Sequence, residues 1–327
     1  MENSSKRPLI SVVMPLYNAE RFVGESIESL MAQTLSDFEL IVIDDCSTDG
    51  SAAVVEQLQR RDPRIVLLRN EHNAGAAETR NHGMDAARGE FIAFLDADDI
   101  CVPRRFEKQI AFLKAHPEVD VCGSYYLIFN DRDGRNHGHY GHLPLTPEEI
   151  RCQVFFLNPL GMSTIMLRAD ALRKTGIRFR NCVCEDYKLW ADLSDRLAMA
   201  NIPECLILYR QWEEQTSARH QQRQVESALE IQRELLARRT GIVLSDDEAR
   251  RLSRFVHQPE LVERGDLPFF RQFLFRFHHA YRQREPYRPK HFERMLRNRF
   301  IYFYRRFNPS WKVWLQKRLF RIALLFH

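Results

Sequence analysis

Several common site signatures are missing from this sequence. No two of its seven cysteines form a Cys-x-x-Cys pair, and the nearest two, Cys182 and Cys184, are separated by one residue. Zinc-ribbon and thioredoxin-type sites are thereby excluded, and free thiols in a reducing compartment are expected. No Gly-x-Gly-x-x-Gly follows the first apolar run, and no Gly-x-x-x-x-Gly-Lys-Ser/Thr occurs. That argues against a dinucleotide-dependent dehydrogenase and against a P-loop enzyme. No apolar run approaches the about 20 residues that a spanning helix needs. The polar start, Met1 to Arg7, has no apolar h-region behind it, so a signal peptide is not expected and a cytoplasmic location is. Glycine and proline are sparse, 13 and 14 in 327 residues, which excludes a collagen-like or low-complexity chain.

What is present is an ordinary globular balance, 44% hydrophobic and 28% charged, in a chain long enough for about two domains. The net charge of +4 is unevenly spread. Residues 271–327 carry 15 Lys and Arg against only Glu285 and Glu293, and hold 15 of the 36 aromatic residues. Basic residues interleaved with aromatics fit an anionic membrane surface, which would make the protein peripheral on the inner face of the cell membrane. Nucleic acid is disfavoured because no stacking-platform motif accompanies the charge. A homodimer interface is a third reading. On the membrane reading, a chain ending near Leu267 should lose binding to anionic vesicles.

The first 130 residues alternate. Short β-rich runs at Leu9–Met14, Phe38–Ile43, Ile65–Leu68 and Phe91–Leu95 fit strands buried on both faces. Helical patterns separate them at Ala19–Gln33, Ser51–Arg61 and Gly75–Arg88, the last with Gly89 placed as its C′ residue. Another helix starts at Pro103, a residue suited to the first helical position. This repetition predicts an α/β fold with a mostly parallel sheet flanked by helices, and ligands beyond the carboxyl ends of the strands. Farther on, residues 135–142 read as a polar loop, Ser163–Leu167 and Leu206–Tyr209 as strands, and Glu185–Leu197 and Gln221–Arg239 as helices. The expected division is residues 1–215, followed by a mainly α-helical region, 216–327.

The strand ends are acidic. Asp96, Asp98 and Asp99 follow the fourth strand, and gathered carboxylates repel unless a divalent cation joins them. Asp44 and Asp45 end the second strand, where a carboxylate can accept from a nucleobase edge or ribose; Ser47 or Asp49 could instead cap the next helix. Glu185 and Asp186 open a helix, where the dipole favours acids and where a general base could stand.

Taken together, Ser11-Val-Val-Met-Pro-Leu-Tyr-Asn18, Ile43-Asp-Asp-Cys-Ser-Thr-Asp-Gly50, Asn73-Ala-Gly-Ala-Ala-Glu-Thr-Arg-Asn81, Phe94-Leu-Asp-Ala-Asp-Asp99 and Glu185-Asp-Tyr-Lys-Leu-Trp190 resemble the family 2 glycosyltransferases. Those are inverting enzymes of the GT-A fold, and the resemblance covers about residues 8 to 215. It implies a nucleotide-diphosphate sugar donor, UDP-linked, a glycan or lipid-linked acceptor, and Mg²⁺ or Mn²⁺. It implies that Pro15, Tyr17 and Asn18 lie along the nucleoside, that Asp45 or Asp44 holds the uracil edge, and that Gly75 lets backbone approach the nucleotide. Arg80 would face uridine or diphosphate. Asp96, with Ala97 between it and Asp98, would touch ribose or sugar, and Asp98, with Asp96, would ligate the metal. Asp186 would be the catalytic base with Glu185 beside it. Asn158 to Thr164 matches the family's acceptor-side loop only loosely. Trp212 stands where many members carry a His, leaving Arg210, His220 or water to complete the diphosphate and metal contacts. The alternatives are a nucleotidyltransferase on a related sheet, or a non-catalytic carbohydrate-assembly partner.

Overall fold

A computed structural model describes residues 7–130, 136–139, 143–212, 215, 221–285, 297–298, 300–303 and 306–307. Strand and helix alternate through β1 (Ile10–Leu16), α1 (Val23–Met31), β2 (Phe38–Asp44), α2 (Ser51–Gln59), β3 (Ile65–Arg69), α3 (Gly75–Ala86) and β4 (Phe91–Phe94). These four strands pair in parallel in the order β3-β2-β1-β4, with Ile10 opposite both Phe38 and Phe91. Every residue of β2 and β4 is buried, which is why they read as continuous apolar runs. The chain winds outward from β1 to β3, then α3 returns it to the opposite side of β1. The strand order therefore reverses between β1 and β4, and a crevice opens beyond their carboxyl ends.

Beyond β4 the sheet becomes mixed. The chain continues through β5 (Ile100–Cys101), α4 (Arg105–Ala115), β6 (Val121–Asn130), β7 (Asn136–His139), α5 (Pro147–Gln153), β8 (Met166–Arg168), α6 (Ala169–Thr175), α7 (Glu185–Leu193) and β9 (Met199–Gln211). The sheet extends as β4-β8-β6-β9-β5, with β7 paired to β6. β8 is antiparallel to both β4 and β6, and β9 runs parallel to β6. The fully buried Arg105 of α4 donates to the carbonyls of Phe94 and Ile165, each at 3.0 Å, and its neighbour Gln109 donates to Thr164 O at 2.8 Å. These bonds fix the end of β4, and with it the acidic segment that follows.

Several local expectations change. α3 stops at Ala86 and its C-cap, Ala87, is extended, so Gly89 is not a helix terminator. A Cβ at Gly89 would lie 2.5 Å from Ser11 N and 2.7 Å from Phe91 O, so glycine is required there by close backbone approach. α4 begins at Arg105 with Arg104 as N-cap, which leaves Pro103 outside the helix. α2 has Gly50 as its N-cap with no side-chain cap, so neither Ser47 nor Asp49 caps it; Asp49 instead accepts from Ser51 N. α1 is shorter than 19–33, and α7 ends at Leu193, four residues before Leu197. A strand, β7, lies within the segment expected to be a loop.

The chain divides into two compact units, one of residues 1–150 and 158–220, the other of residues 151–157 and 221–327. The second unit contains α8 (Gln221–Thr240), α9 (Asp246–His257) and α10 (Leu267–Arg284). Its core is aromatic: Phe156 meets Phe277 with centroids 5.1 Å apart, and Phe303 meets Phe255 at 5.3 Å. Glu285, buried, accepts from Arg239 Nε at 2.7 Å and Arg151 Nε at 2.6 Å. Burial raises the Glu285 pKa, but the two guanidinium groups outweigh it and hold the carboxyl below its usual range. Ser245 and Glu248 form a capping box at the start of α9. Phe270, Phe273 and Phe277 of α10 are all buried, so ending the chain near Leu267 would remove core as well as charge. A truncation after Phe307 spares that core. Residues 286–296 and 308–327, most of the basic aromatic tail, lie outside the described residues, as does His220.

Gly89→Ala should lower unfolding free energy by roughly 1–3 kcal/mol, the range for overpacking. Backbone atoms, not a movable side chain, meet the new Cβ. Urea denaturation followed by circular dichroism measures this, and a wild-type midpoint would contradict the close-approach explanation.

Candidate active site

The loops after β1 and β2 form one wall of the crevice. Asn18 and Cys46 both have positive φ, 49° and 61°. Asn tolerates that conformation; for Cys it is uncommon and is held by its surroundings. Asn18 N donates to Ser47 Oγ at 3.1 Å, and Thr48 N donates to Asn18 Oδ1 at 2.8 Å. Pro15 is half-buried in β1, while Tyr17 is exposed.

Asp44 and Asp45 are buried at the end of β2. Asp44 Oδ1 accepts from Ser47 N. Asp45 accepts from Asn70 Nδ2 at 2.7 Å, Ala74 N at 2.8 Å and Gly75 N at 2.9 Å. Its carboxylate thus anchors the start of α3, where Gly75 takes φ 83°.

One turn into α3, Arg80 is buried. It donates to Asp96 Oδ1 at 2.8 Å and to Glu185 Oε1 at 2.6 Å. Arg80 was expected to face uridine or diphosphate; its guanidinium bridges two carboxylates of distant segments. Burial disfavours its charge, but Asp96 and Glu185 overcome this and raise its pKa further.

The acidic segment after β4 carries more negative charge than Arg80 offsets. Asp98 is pushed up to about 6 by burial and by the charge of Asp96. Asp99, wholly buried, rises well above the ordinary range through burial and the charges of Asp98 and Asp96. Ala97 is buried between the first two, its carbonyl accepting from Ser26 Oγ. The residue at the family's His position also touches this segment. Trp212 Nε1 donates to Asp98 Oδ2 at 2.9 Å, and its ring lies 5.0 Å from that of Phe22. An indole N–H can only donate, so Trp212 orients Asp98 and is no metal ligand. Arg210 is committed as well: it donates to Asp98 O, to Glu25 Oε2 and, through its backbone N–H, to Asp99 Oδ1.

Among the described residues no group of three His, Cys, Asp or Glu side chains is gathered to hold a metal ion by itself. The donor chemistry nevertheless fits a hard divalent cation. One or two carboxylates, completed by phosphate oxygens and water, form the usual protein share of a Mg²⁺ site. Asp96 and Asp98 are the carboxylates that could hold it.

On the other side of the Arg80 bridge, Glu185 and Asp186 occupy the first turn of α7. Asp186 is pushed up to about 6, first by burial and then by the charge of Glu185; bonds from Tyr187 N and Asn158 and the charge of Arg80 pull the other way. Asn158 and Ser163 were not among the candidate site residues, and Trp212, noted only for standing at the family's His position, was not expected to bond Asp98. Asn158 and Ser163 lie in a segment whose only signal was a loose motif match.

An α/β fold with acids at a switch-point crevice and no Gly-rich phosphate loop after β1 is compatible with a nucleotide-sugar site and unlike a dinucleotide one. Residues 11–176 match the family described as Glycosyl transferase family 2. An uncharacterized glycosyltransferase of Haemophilus influenzae is 35% identical over 242 residues, 72% of this chain and 74% of its own length. An Escherichia coli protein named UDP-Glc:alpha-D-GlcNAc-diphosphoundecaprenol beta-1,3-glucosyltransferase WfgD is 36% identical over 186 residues, 57% of this chain and 69% of its own. Among solved structures, S. aureus TarS 1–349 with UDP-GlcNAc is similar at TM-score 0.60 and 22% identity, covering 83% of this chain and 81% of that one. The mannosyltransferase PcManGT of Pyrobaculum calidifontis, with GDP-Man and Mn²⁺, is similar at TM-score 0.57 and 16% identity, covering 91% and 86%. The chain belongs to glycosyl transferase family 2 and is a glycosyltransferase, with the GT-A fold expected of it. The nucleotidyltransferase and assembly-partner alternatives are set aside.

Asp98 and Asp186 keep their protons to about pH 6 when folded, whereas an unfolded aspartate releases its proton near about 3.9. The folded state binds more protons between these values, so stability falls as pH rises through that window. Carboxylates with lowered pKa, such as Glu39 and Asp62, lose their share only as pH falls below their ordinary values of 4.5 and 3.8. Without divalent cation, the melting temperature at about pH 5 should exceed that at about pH 7.5. Asp98→Asn or Asp186→Asn should narrow the gap, and equal melting at both pH values would contradict the raised pKa values.

Proposed function

We propose that the protein moves a sugar from a UDP-sugar to a hydroxyl of a glycan or lipid-linked acceptor, with inversion, in cell-surface polysaccharide synthesis. The observation that carries this reading is the pairing of two acidic centres across Arg80: Asp96 and Asp98 at the end of β4, and Glu185 and Asp186 at the start of α7. Catalysis is assigned to residues 1–215. The UDP donor and the diphosphate-lipid acceptor are supported by the name of the E. coli relative.

In this reading Pro15, Tyr17 and Asn18 line the nucleoside. Asp44 or Asp45 meets the uracil edge through a remaining lone pair. Gly75 lets the backbone approach the nucleotide, and Asp96 and Ala97 border the ribose or sugar. Asp98, oriented by Trp212, and Asp96 hold Mg²⁺ or Mn²⁺, which when bound stabilises negative charge on the departing diphosphate. Mn²⁺ in the archaeal neighbour's structure supports a divalent ion here. Asp186 takes the acceptor hydroxyl's proton while that oxygen bonds to the anomeric carbon from the face opposite the leaving diphosphate. A single displacement inverts the configuration. A carboxyl poised at about 6 is largely ionised near neutral pH yet remains basic enough to accept a proton.

A panel of UDP-sugars with Mn²⁺ and diphosphate-lipid acceptors tests this, with the product's anomeric configuration read by NMR. Asp98→Ala should lose most activity while folding normally. Asp186→Asn should bind donor but transfer at least about 100-fold more slowly. Full turnover in excess EDTA rules out the metal, and a crippled Glu185→Gln beside a near-normal Asp186→Asn reverses the base assignment.

The membrane role of residues 271–327 rests on their charge and aromatic content. No described helix is long and apolar enough to cross a membrane. Intact protein should co-sediment with anionic vesicles in a salt-sensitive way, and a chain ending at Phe307 should bind markedly less. Equal pelleting of both would refute a role for residues 308–327.

A further inference from the structure

We infer that Asn158 is the positioning residue for the acceptor-side base, its side-chain amide fixing the orientation of the Asp186 carboxylate. This rests on the reading of Asp186 as the base. Asp186 Oδ1 accepts from Tyr187 N at 2.7 Å, a neighbour that moves with the same helical turn. Asp186 Oδ2 accepts from Asn158 Nδ2 at 2.8 Å, from a separate segment. Asn158 is the only side chain among the described residues that donates to this carboxylate.

The segment carrying Asn158 is pinned by buried side chains. Asn201 Nδ2 donates to Pro159 O at 3.1 Å, Thr164 Oγ1 to Gly161 O at 2.7 Å, and Gln109 Nε2 to Thr164 O at 2.8 Å. The same segment touches the donor side, where Ser163 Oγ accepts from Asp96 N at 3.1 Å. Asn158 and Ser163 thus hold the Asp186 carboxylate and the backbone of Asp96 from one short stretch of chain. Positioning within fractions of an ångström is where such an arrangement gains rate.

The choice of an amide has a physical reason. Asp186 already faces the charges of Glu185 on its own helix and Arg80 on α3, with the Cys182 thiol nearby in the preceding loop. A second cation would hold the carboxylate ionised too firmly to accept a proton, and a second acid would keep it protonated. A neutral donor directs one oxygen with a small effect on basicity and leaves its other lone pair for the acceptor hydroxyl.

The test is carbonyl ¹³C NMR titration of Asp186 in the full chain, its resonance assigned by loss in Asp186→Asn. Asn158→Ala should raise the Asp186 pKa by roughly half to one unit, the equivalent of one neutral hydrogen bond. Asn158→Asp should raise it further, by adding a like charge. That variant is isosteric and keeps an acceptor for the long contact from Leu160 N, 3.4 Å, so it preserves the loop. With whichever of UDP-glucose, UDP-N-acetylglucosamine or UDP-galactose turns over, the acid limb of kcat/KM should move with the NMR value. Plateau kcat should fall roughly 10- to 100-fold with donor KM unchanged. A purely structural role would lower activity evenly across pH and leave the Asp186 titration in place, which overturns the inference. Undiminished transfer by Asp186→Asn overturns the base reading instead.

Discussion

The two ionic bonds of Arg80 hold the site together. Its guanidinium joins Asp96, at the end of β4, to Glu185, at the start of α7, and neither segment lies near the other in the chain. The carboxylates Asp96, Asp98, Asp99, Glu185 and Asp186 outnumber the buried guanidinium groups among them, Arg80 and Arg210. Burial first, and then the charge of a neighbouring carboxylate, lifts Asp98 on one side and Asp186 on the other. Under the proposed function, the first of these carboxyls would meet a divalent counterion and the second would serve as the base. One electrostatic imbalance thus acts on both sides of Arg80.

The rest of the first unit maintains that imbalance. Arg105 and Gln109 fix the end of β4 through backbone carbonyls, so the acids cannot drift apart to relieve their repulsion. The positive-φ residues Asn18 and Cys46 are held by bonds between the β1 and β2 loops. Trp212 and Arg210 hold the segment Asp98–Asp99 from β9 and the residue after it. Where a family His could supply a metal contact, this chain has an indole that can only orient the carboxylate. The protein's share of a cation shell is then oxygen alone, completed by diphosphate and water, which would couple metal binding to donor binding.

Much of this was legible in the sequence. The apolar runs Leu9–Met14, Phe38–Ile43 and Phe91–Leu95 are buried on both faces, so composition alone marks them as strands of a parallel sheet. The acids at their ends stand out because carboxylates seldom follow such runs without a task. β6, with Gly123, Ser124 and two tyrosines, and the short β5 gave no comparable pattern, because their places depend on pairing with segments far away in the chain; β8 overlaps the strand expected at Ser163–Leu167, whose first residues form a 3₁₀ turn instead. Gly89 looked like a helix terminator by its neighbours, yet its reason is Ser11 across the sheet.

The sequence by itself determined the family and the strand-helix alternation, and it singled out the carboxylates at the strand ends as candidates, since these follow from residue type and short-range order. Only the tertiary structure decided what each acid is bonded to. Nothing along the chain told that Arg80 bridges Asp96 and Glu185, or that Asn158, at the start of a loosely matched loop, donates to Asp186. Charge and hydrogen bonding act over a few ångströms of space, and separation along the chain does not record that distance.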